Sequence, residues 1–296
     1  MKLKKLYILG FLSLLMAGNV FSEGGKKITW NVKPKSETKK INYHFQFAKG
    51  VLNLNSGLKD PLLLKGEFVQ EFNKPVFDYY HSEGIAFISI FNRDDDTKKE
   101  DSHKSINIKS IKIPKENNWD IQTPGNIPSE YKLTLAAAIA ELKYKNYAIR
   151  QMDLEAGASE VSLIFQDQNQ VMMENLDISS GASKIICKNL ANANARYLSF
   201  ESGVGKNELE FSGTPRIPCR VNITNGVGLL KIYIPTTLAS KFIVHSSLFS
   251  SFSIDNVVKE NNIYYSKNFD ESKIYYTFEI NNSLGSVQVI WINTKE

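Results

Sequence analysis

Eight stretches of this chain resemble one another, and that repetition limits what it can fold into more than any other feature. "LTLAAAIAELKY", "MDLEAGASEVSLIF", "LDISSGASKIICK", "LSFESGVGKNELEF" and "VNITNGVGLLKIYI" share one pattern. An apolar residue stands three before a small bend residue, and an alternating segment follows. "QFAKGVLNL", "IVHSSLFSSFSI" and "FEINNSLGSVQVIWI" are weaker copies. With the bend residue as position 0, position −3 reads Phe47, Leu135, Leu154, Ile178, Phe200, Ile223, Val244 and Ile280. Position 0 reads Gly50, Ala138, Gly157, Gly181, Gly203 and Gly226, then Ser247 and Ser283. Position +1 is apolar throughout, from Val51 and Ile139 to Leu248 and Leu284. From Leu135 to Val244 the copies are 19, 24, 22, 23 and 21 residues apart.

That period is too short for a strand–helix–strand unit, which needs about thirty residues or more. It suits a strand–turn–strand rung stacked on the next, each burying its neighbour's apolar face. Residues two apart on a strand share a face. Positions +4, +6 and +8 give Val161, Leu163, Phe165, then Leu230, Ile232, Ile234, then Val287, Val289, Trp291. A small residue lets the chain bend without a Cβ clash. The expectation is an all-β fold of stacked strand–turn–strand rungs, a β-solenoid, after a cleaved signal peptide. Leu133–Leu142 is Ala-rich and would read as helix alone, yet it keeps the rung pattern and is expected as strand. Upstream, "YHFQFAKGVLNLNSG", "GIAFISIFN" and "SINIKSIKIP" read as strands, with the charged "NRDDDTKKEDSHK" as a loop between the last two.

The N-terminus follows a different logic. Lys2, Lys4 and Lys5 precede the apolar run Leu6–Ala17, and Val20-Phe21-Ser22 offers a cleavage position. This is the layout of a secretory signal peptide. The run is too short to span a bilayer comfortably, and the longest later apolar stretch, 227–244, is broken by Lys231, Pro235 and Lys241. Removing residues 1–22 leaves 33 of the 36 Lys and Arg against 31 Asp and Glu, so the net charge falls from +5 to +2. A nearly neutral chain carries no electrostatic footprint for nucleic acid. The expected organisation is signal peptide 1–22, a basic solvated arm 23–40, an N-terminal β region 41–131 and the repeated rungs 132–296.

"WDIQTPGNIPSEYKLTLAAAIAELKY", followed by "LEAGASEVSL", "ISSGAS" and "FESGVGKNEL", resembles the toast-rack family of bacterial envelope proteins. "GVLNLNSG" and "LLKGEFVQEFNKPVFDYYHSEG" are similar to that family's N-terminal portion, and the resemblance covers roughly residues 40–292. Ala138, Ser247 and Ser283 stand where the family's pattern has glycine. The resemblance implies a stacked β fold, an envelope location, a link to cell-wall stress and adhesin-like relatives. It carries over no catalytic residue.

No residue set points clearly to chemistry. Ser159 and Ser183 follow Gly-Ala outside any G-x-S-x-G, and His44, His81, His103 and His245 are scattered, so no triad is expected. Glu155 and Glu201 share position −2, outward on the rungs, and are the candidate carboxylate pair for glycan cleavage. Glu141 and Glu160 also share a column. Ser179 and Thr224 occupy position −2 in other rungs, so Glu155 and Glu201 need not be neighbours. Asp94, Asp95, Asp96 and Asp101 could ligate Ca²⁺, but Lys98, Lys99 and Lys104 dilute them into a solvated loop. Cys187 falls in the inward +6 column, and Cys219 shares parity with Val221 and Ile223. A disulfide is permitted in an exported chain, but buried free thiols are expected because the two rungs are not clearly adjacent. Tyr79-Tyr80, Tyr264-Tyr265 and Tyr275-Tyr276 each put one ring on each strand face, and the outward rings could stack on a sugar or a partner.

The reading that follows is an exported scaffold or adhesin-like binding module, not an enzyme, without catalytic, cofactor or metal residues. It is periplasmic or on the cell surface and does not span the membrane. Its partner would be an envelope protein or wall polymer, met through surfaces or loops such as 93–104. An open last rung could also pair with a second copy. The alternatives are a glycan-active enzyme using outward carboxylates and a carrier of an apolar ligand.

Overall fold

Each bend lies in the middle of one long strand or between two short ones. The computed structural model describes residues 21–22, 25–35, 37–70, 75–92, 117–261 and 263–293. The apolar run of the expected signal peptide, the charged loop 93–104 with its aspartates, and "SINIKSIKIP" lie outside the described residues.

The chain opens with β1 (Phe21–Ser22), β2 (Gly25–Val32) and the bent β3 (Lys40–Leu58). Next come β4 (Leu64–Gln70), β5 (Val76–Ser82), β6 (Ile85–Phe91) and β7 (Asn118–Pro124). The regular rungs are β8 (Ser129–Tyr144), the pair β9 (Ile149–Ala156) and β10 (Glu160–Phe165), β11 (Met173–Lys188), β12 (Ala195–Glu210) and β13 (Cys219–Pro235). The remainder comprises β14 (Ala239–Ser246), β15 (Ser251–Ile254), β16 (Val257–Glu260), β17 (Ile263–Ser266), β18 (Tyr275–Asn282) and β19 (Ser286–Ile292). The fold is all-β, and Leu133–Leu142 is strand as expected.

Rung lies on rung in parallel register. β3 pairs with β8, β8 with β9 and β10, these with β11, then β11 with β12 and β12 with β13. Both ends depart from the expected order. β13 pairs with β18 and β19, the last copy in sequence, and β14 and β15 stack outside them. At the other end β6 and β7 lie outside β3, although they follow it in the chain. The excursion through β16 and β17 supplies the chain length to step over one slot and return to fill it.

Two copies also sit in a different register from the sequence alignment. Leu133, not Leu135, pairs with Leu154, and Phe45 pairs with Leu133. Ala136 therefore occupies position 0 and Ala138 position +2, two residues from where the glycine column suggested. The shift is even, so the same side chains face inward in both registers. An Ala-rich strand has no larger side chain at its bend to mark which alanine turns.

The alternation fills one core. Phe45, Leu133, Leu154, Phe200 and Ile223 are fully buried at position −3. Leu142, Leu163, Cys187, Leu209 and Ile232 are equally buried at +6. Each such side chain contributes about 1.5–3 kcal/mol relative to an exposed one. Aromatic rings plug the N-terminal end, with Trp119 against Phe47 at 4.7 Å and Phe68 at 5.3 Å.

The corners are polar inside. Ser159 Oγ accepts from Ala138 N at 3.0 Å and donates to Leu135 O at 3.2 Å. Ser183 Oγ accepts from Ser159 N at 3.1 Å and donates to Gly157 O at 2.7 Å. Farther along, Asn225 Nδ2 donates to Asn282 Oδ1 at 3.0 Å, and Asn282 Nδ2 to Ser251 O at 2.9 Å. The serines and Asn282 satisfy backbone groups that a bent ladder leaves unpaired, and Asn225 holds Asn282 in place.

Antiparallel strands close the ends. β5 covers β6, and β4 covers β7. β2, within the stretch expected as a solvated arm, pairs with β4. Its Trp30 lies 4.4 Å from Phe68 and 4.7 Å from Phe77, which explains the strand: Ile28, Trp30 and Val32 alternate with Thr29 and Asn31 and pack against the core. β17 covers part of β14. The outer side of β15 has no strand partner among the described residues, and the bend beside it exposes Leu248 and Phe249.

The corner carbonyls set a graded test. A Cβ at Gly181 would stand 3.1 Å from Gly157 O, at Gly226 2.4 Å from Gly203 O, and at Gly228 1.9 Å from Gly205 O. Gly228 also has φ +128°, a conformation that side chains oppose. Gly181→Ala should therefore cost least and Gly228→Ala most, the latter about 3 kcal/mol or more. Urea unfolding midpoints should fall in that order, and three equal midpoints would refute the carbonyl-over-glycine contact.

Candidate functional site

The bend divides each rung into two arms, and the outer face of the first arm is a regular surface. Positions −2, −4 and −6 point outward there, and parallel register aligns each position into a row along the stack. Adjacent rungs stand about 4.8 Å apart. The −2 row runs Gln46, Thr134, Glu155, Ser179, Glu201, Thr224, Asn281 and His245. The −4 row places Lys132, Asp153, Asp177 and Ser199 in succession.

Glu155 and Glu201, the candidate carboxylate pair, both line a shallow groove of about 640 Å³ floored by Gly157, Gly181 and Gly203. Ser179 stands between them in register with both. Their backbones are thus two rung spacings apart, about 9.6 Å. Glu155 accepts a hydrogen bond from the Thr134 hydroxyl at 3.3 Å. Asp177 carries the perturbed carboxyl: burial raises its pKa first, and Asp153 and Glu201 raise it further. Asp153 lies directly opposite Asp177, and like charges so placed repel. The surface is rich in oxygen acceptors and does not gather them around one point.

The −6 row begins at an aromatic platform. Tyr80 is 58% exposed and stacks on Phe87 with centroids 4.5 Å apart and planes 9° from parallel. Register continues from Phe87 to Asn42, Glu130, Gln151, Asn175 and Tyr197. Lys40 forms an ion pair with Glu130 at 2.5 Å. A cleft of about 350 Å³ opens between Tyr80, Asn42, His44, Lys132 and Gln151. The sequence reading named Tyr80 but missed this row, because the weaker copies were not extended as far back as −6.

Other candidates resolve into structure. Ser159 and Ser183 are buried corner residues whose hydroxyls are occupied by backbone groups. Cys187 and Cys219 are buried free thiols, as expected. Burial pushes each from 9.0 up to about 12. Of the tyrosine pairs, Tyr79 packs against the core and Tyr80 faces out, Tyr276 is buried and Tyr275 partly so, and Tyr264 packs against the core with Tyr265 partly buried beside it. No group of three or more His, Cys, Asp or Glu among the described residues could hold a metal ion. No helix of the described residues is long and apolar enough to cross a membrane.

Residues 21–186, more than half of the chain, match the family described as "N-terminal domain of toast_rack, DUF2154". No curated protein matches the chain. Among solved structures it is similar to a "putative cell adhesion protein" from Clostridium sporogenes, at 21% identity and TM-score 0.48, covering 90% of this chain and 100% of that one. It is also similar to a "putative adhesin" from Bacteroides fragilis, at 14% identity and TM-score 0.36, covering 90% and 97%.

Buried thiols give a direct check on the interior. At pH 8 the native protein should react negligibly with a thiol reagent, and the urea-unfolded chain should label at both cysteines. Rapid native labelling would contradict the burial. Above pH 9 the unfolded chain gives up thiol protons that the folded state retains, and burial likewise raises Tyr43, Tyr131, Tyr144, Tyr147 and Tyr276. Stability should therefore be complete below about pH 9 and fall as pH rises toward 12, read as a lower urea midpoint at pH 10.5 than at pH 8.

Proposed function

Because the chain belongs to the toast-rack family, we propose that it is an exported, non-catalytic binding module of the bacterial envelope, adhesin-like in action. Its proposed setting is an envelope under cell-wall stress, periplasmic or at the cell surface, after removal of residues 1–22. The observation that carries this reading is the outer face of the first arm. It is a set of solvent-facing rows in parallel register on a support with a packed core and hydrogen-bonded corner serines, so it presents fixed groups to a partner without needing to order them on binding. Preorganised groups lose little entropy on contact, which favours recognition.

Glycan cleavage is a second reading with one observation in its favour: Glu155 and Glu201 share a groove. An acid–base pair needs one carboxyl on each side of a scissile bond. Here both project from the same wall of an open surface, which supports holding a ligand more than cutting it. A second copy is a further proposed partner, through the unpaired side of β15 beside Leu248 and Phe249, since unpaired strand edges template pairing.

Fractionation of producing cells should recover the chain outside the cytoplasm with its N-terminus near Glu23, and cross-linking in intact cells should join it to an envelope component. A cytoplasmic chain retaining residues 1–22 would overturn the export reading. Glycan chains incubated with the protein should keep their length, and Glu155→Gln with Glu201→Gln should change nothing in that assay. Shortening of the glycan that disappears in the double variant would establish the second reading instead.

A further inference from the structure

We propose that the outer face of the first arm binds an uncharged pyranose chain, seated on Tyr80 and extending along the −6 row toward Tyr197. This rests on the envelope-binding reading and names its ligand class.

The platform is the first reason. Tyr80 has no covering segment among the described residues, yet its ring is held flat by the parallel contact with Phe87. A fixed, exposed aromatic face offers an apolar surface at low entropic cost. Pyranose rings expose C–H faces of matching size and polarity.

The second reason is what lies beside the platform. Asn42, Glu130, Gln151 and Asn175 follow it in successive rungs. Planar amides and carboxylates each offer paired hydrogen-bonding atoms suited to neighbouring hydroxyls on one ring. Asn42 itself borders the cleft.

Length and charge narrow the ligand. Tyr80 to Tyr197 spans six strand spacings, about 29 Å, and Tyr197 is again 46% exposed. Two platforms that far apart suit an oligosaccharide of several rings, not a monosaccharide. Asp153 and Asp177 flank the path in the −4 row beside Lys132, and burial first, then Asp153 and Glu201, raises the Asp177 pKa. A polyanion would meet that repulsion, and a neutral chain would not.

The test uses the full chain with chitohexaose, cellohexaose, the disaccharide of each and polygalacturonate, followed by calorimetry. Binding of a neutral hexasaccharide, with polygalacturonate silent, is expected. Tyr80→Ala should weaken it about tenfold or more, and Tyr197→Ala should weaken the hexasaccharide while sparing the disaccharide. Both rings are exposed, so the urea midpoints of the variants should match the parent. Failure of both hexasaccharides to bind, equal binding of polygalacturonate, or unchanged affinity in Tyr80→Ala would overturn the proposal. Capture of the chain by isolated envelopes separates the two levels. If Tyr80→Ala is captured as well as the parent, the sugar site fails and the binding module stands. If neither is captured, both fail.

Discussion

Everything regular in this molecule depends on how one rung's carbonyl meets the next rung's bend. At Gly226 and Gly228 the carbonyl oxygens of Gly203 and Gly205 occupy the space a Cβ would need. The close approach stacks bend on bend, and the parallel register that runs through both arms aligns the inward columns into one core and the outward ones into rows. Ser159 and Ser183 put short hydroxyl side chains inside their corners, where they bond backbone groups that would otherwise be buried unpaired.

A stack of parallel rungs has two ends, and each end must stop without leaving a long sticky edge. Here both ends use the same device: a rung is laid one slot out and a later or earlier segment fills the gap. β3 is enclosed between β8 and the β6–β7 rung, and the β18–β19 rung between β13 and the β14–β15 rung. Antiparallel strands then cover much of what remains. Among the described residues β15, four residues long, keeps one side unpaired, as do β5 and β16.

Much of this was legible in the sequence, and the reasons it was legible mark where legibility stops. Alternation told the inward face of every rung, because parity survives an error of two residues. It could not tell Ala136 from Ala138 as the bend, since neither carries a side chain that distinguishes the positions. Proximity in sequence suggested proximity in the stack. That holds from β8 to β13, where connections are short, and fails where the β16–β17 hairpin provides slack. The basic stretch before residue 40 read as an arm from its charge, yet Ile28, Trp30 and Val32 alternate within it and pack. Glu155 and Glu201 were placed correctly as outward and separated, but the platform at Tyr80 was not foreseeable. It requires β5 beside β6 and β6 beside β3, which no repeat announces.

The spatial order of the rungs is the central claim, because it decides which side chains share each outer row. Asn222 and Glu279 lie outward in register on β13 and β18, one strand spacing apart. Ile243 follows beyond Glu279 on β14, about 9.6 Å from Asn222, outside disulfide range. Two double-cysteine chains, at 222 with 279 and at 222 with 243, can be oxidised and peptide-mapped without reduction. The account predicts a bridge in the first and none in the second; a bridge at 222 with 243 alone would mean that β14 lies directly beside β13 and that the C-terminal end of the outer rows is ordered by the chain and not by the pairing described above.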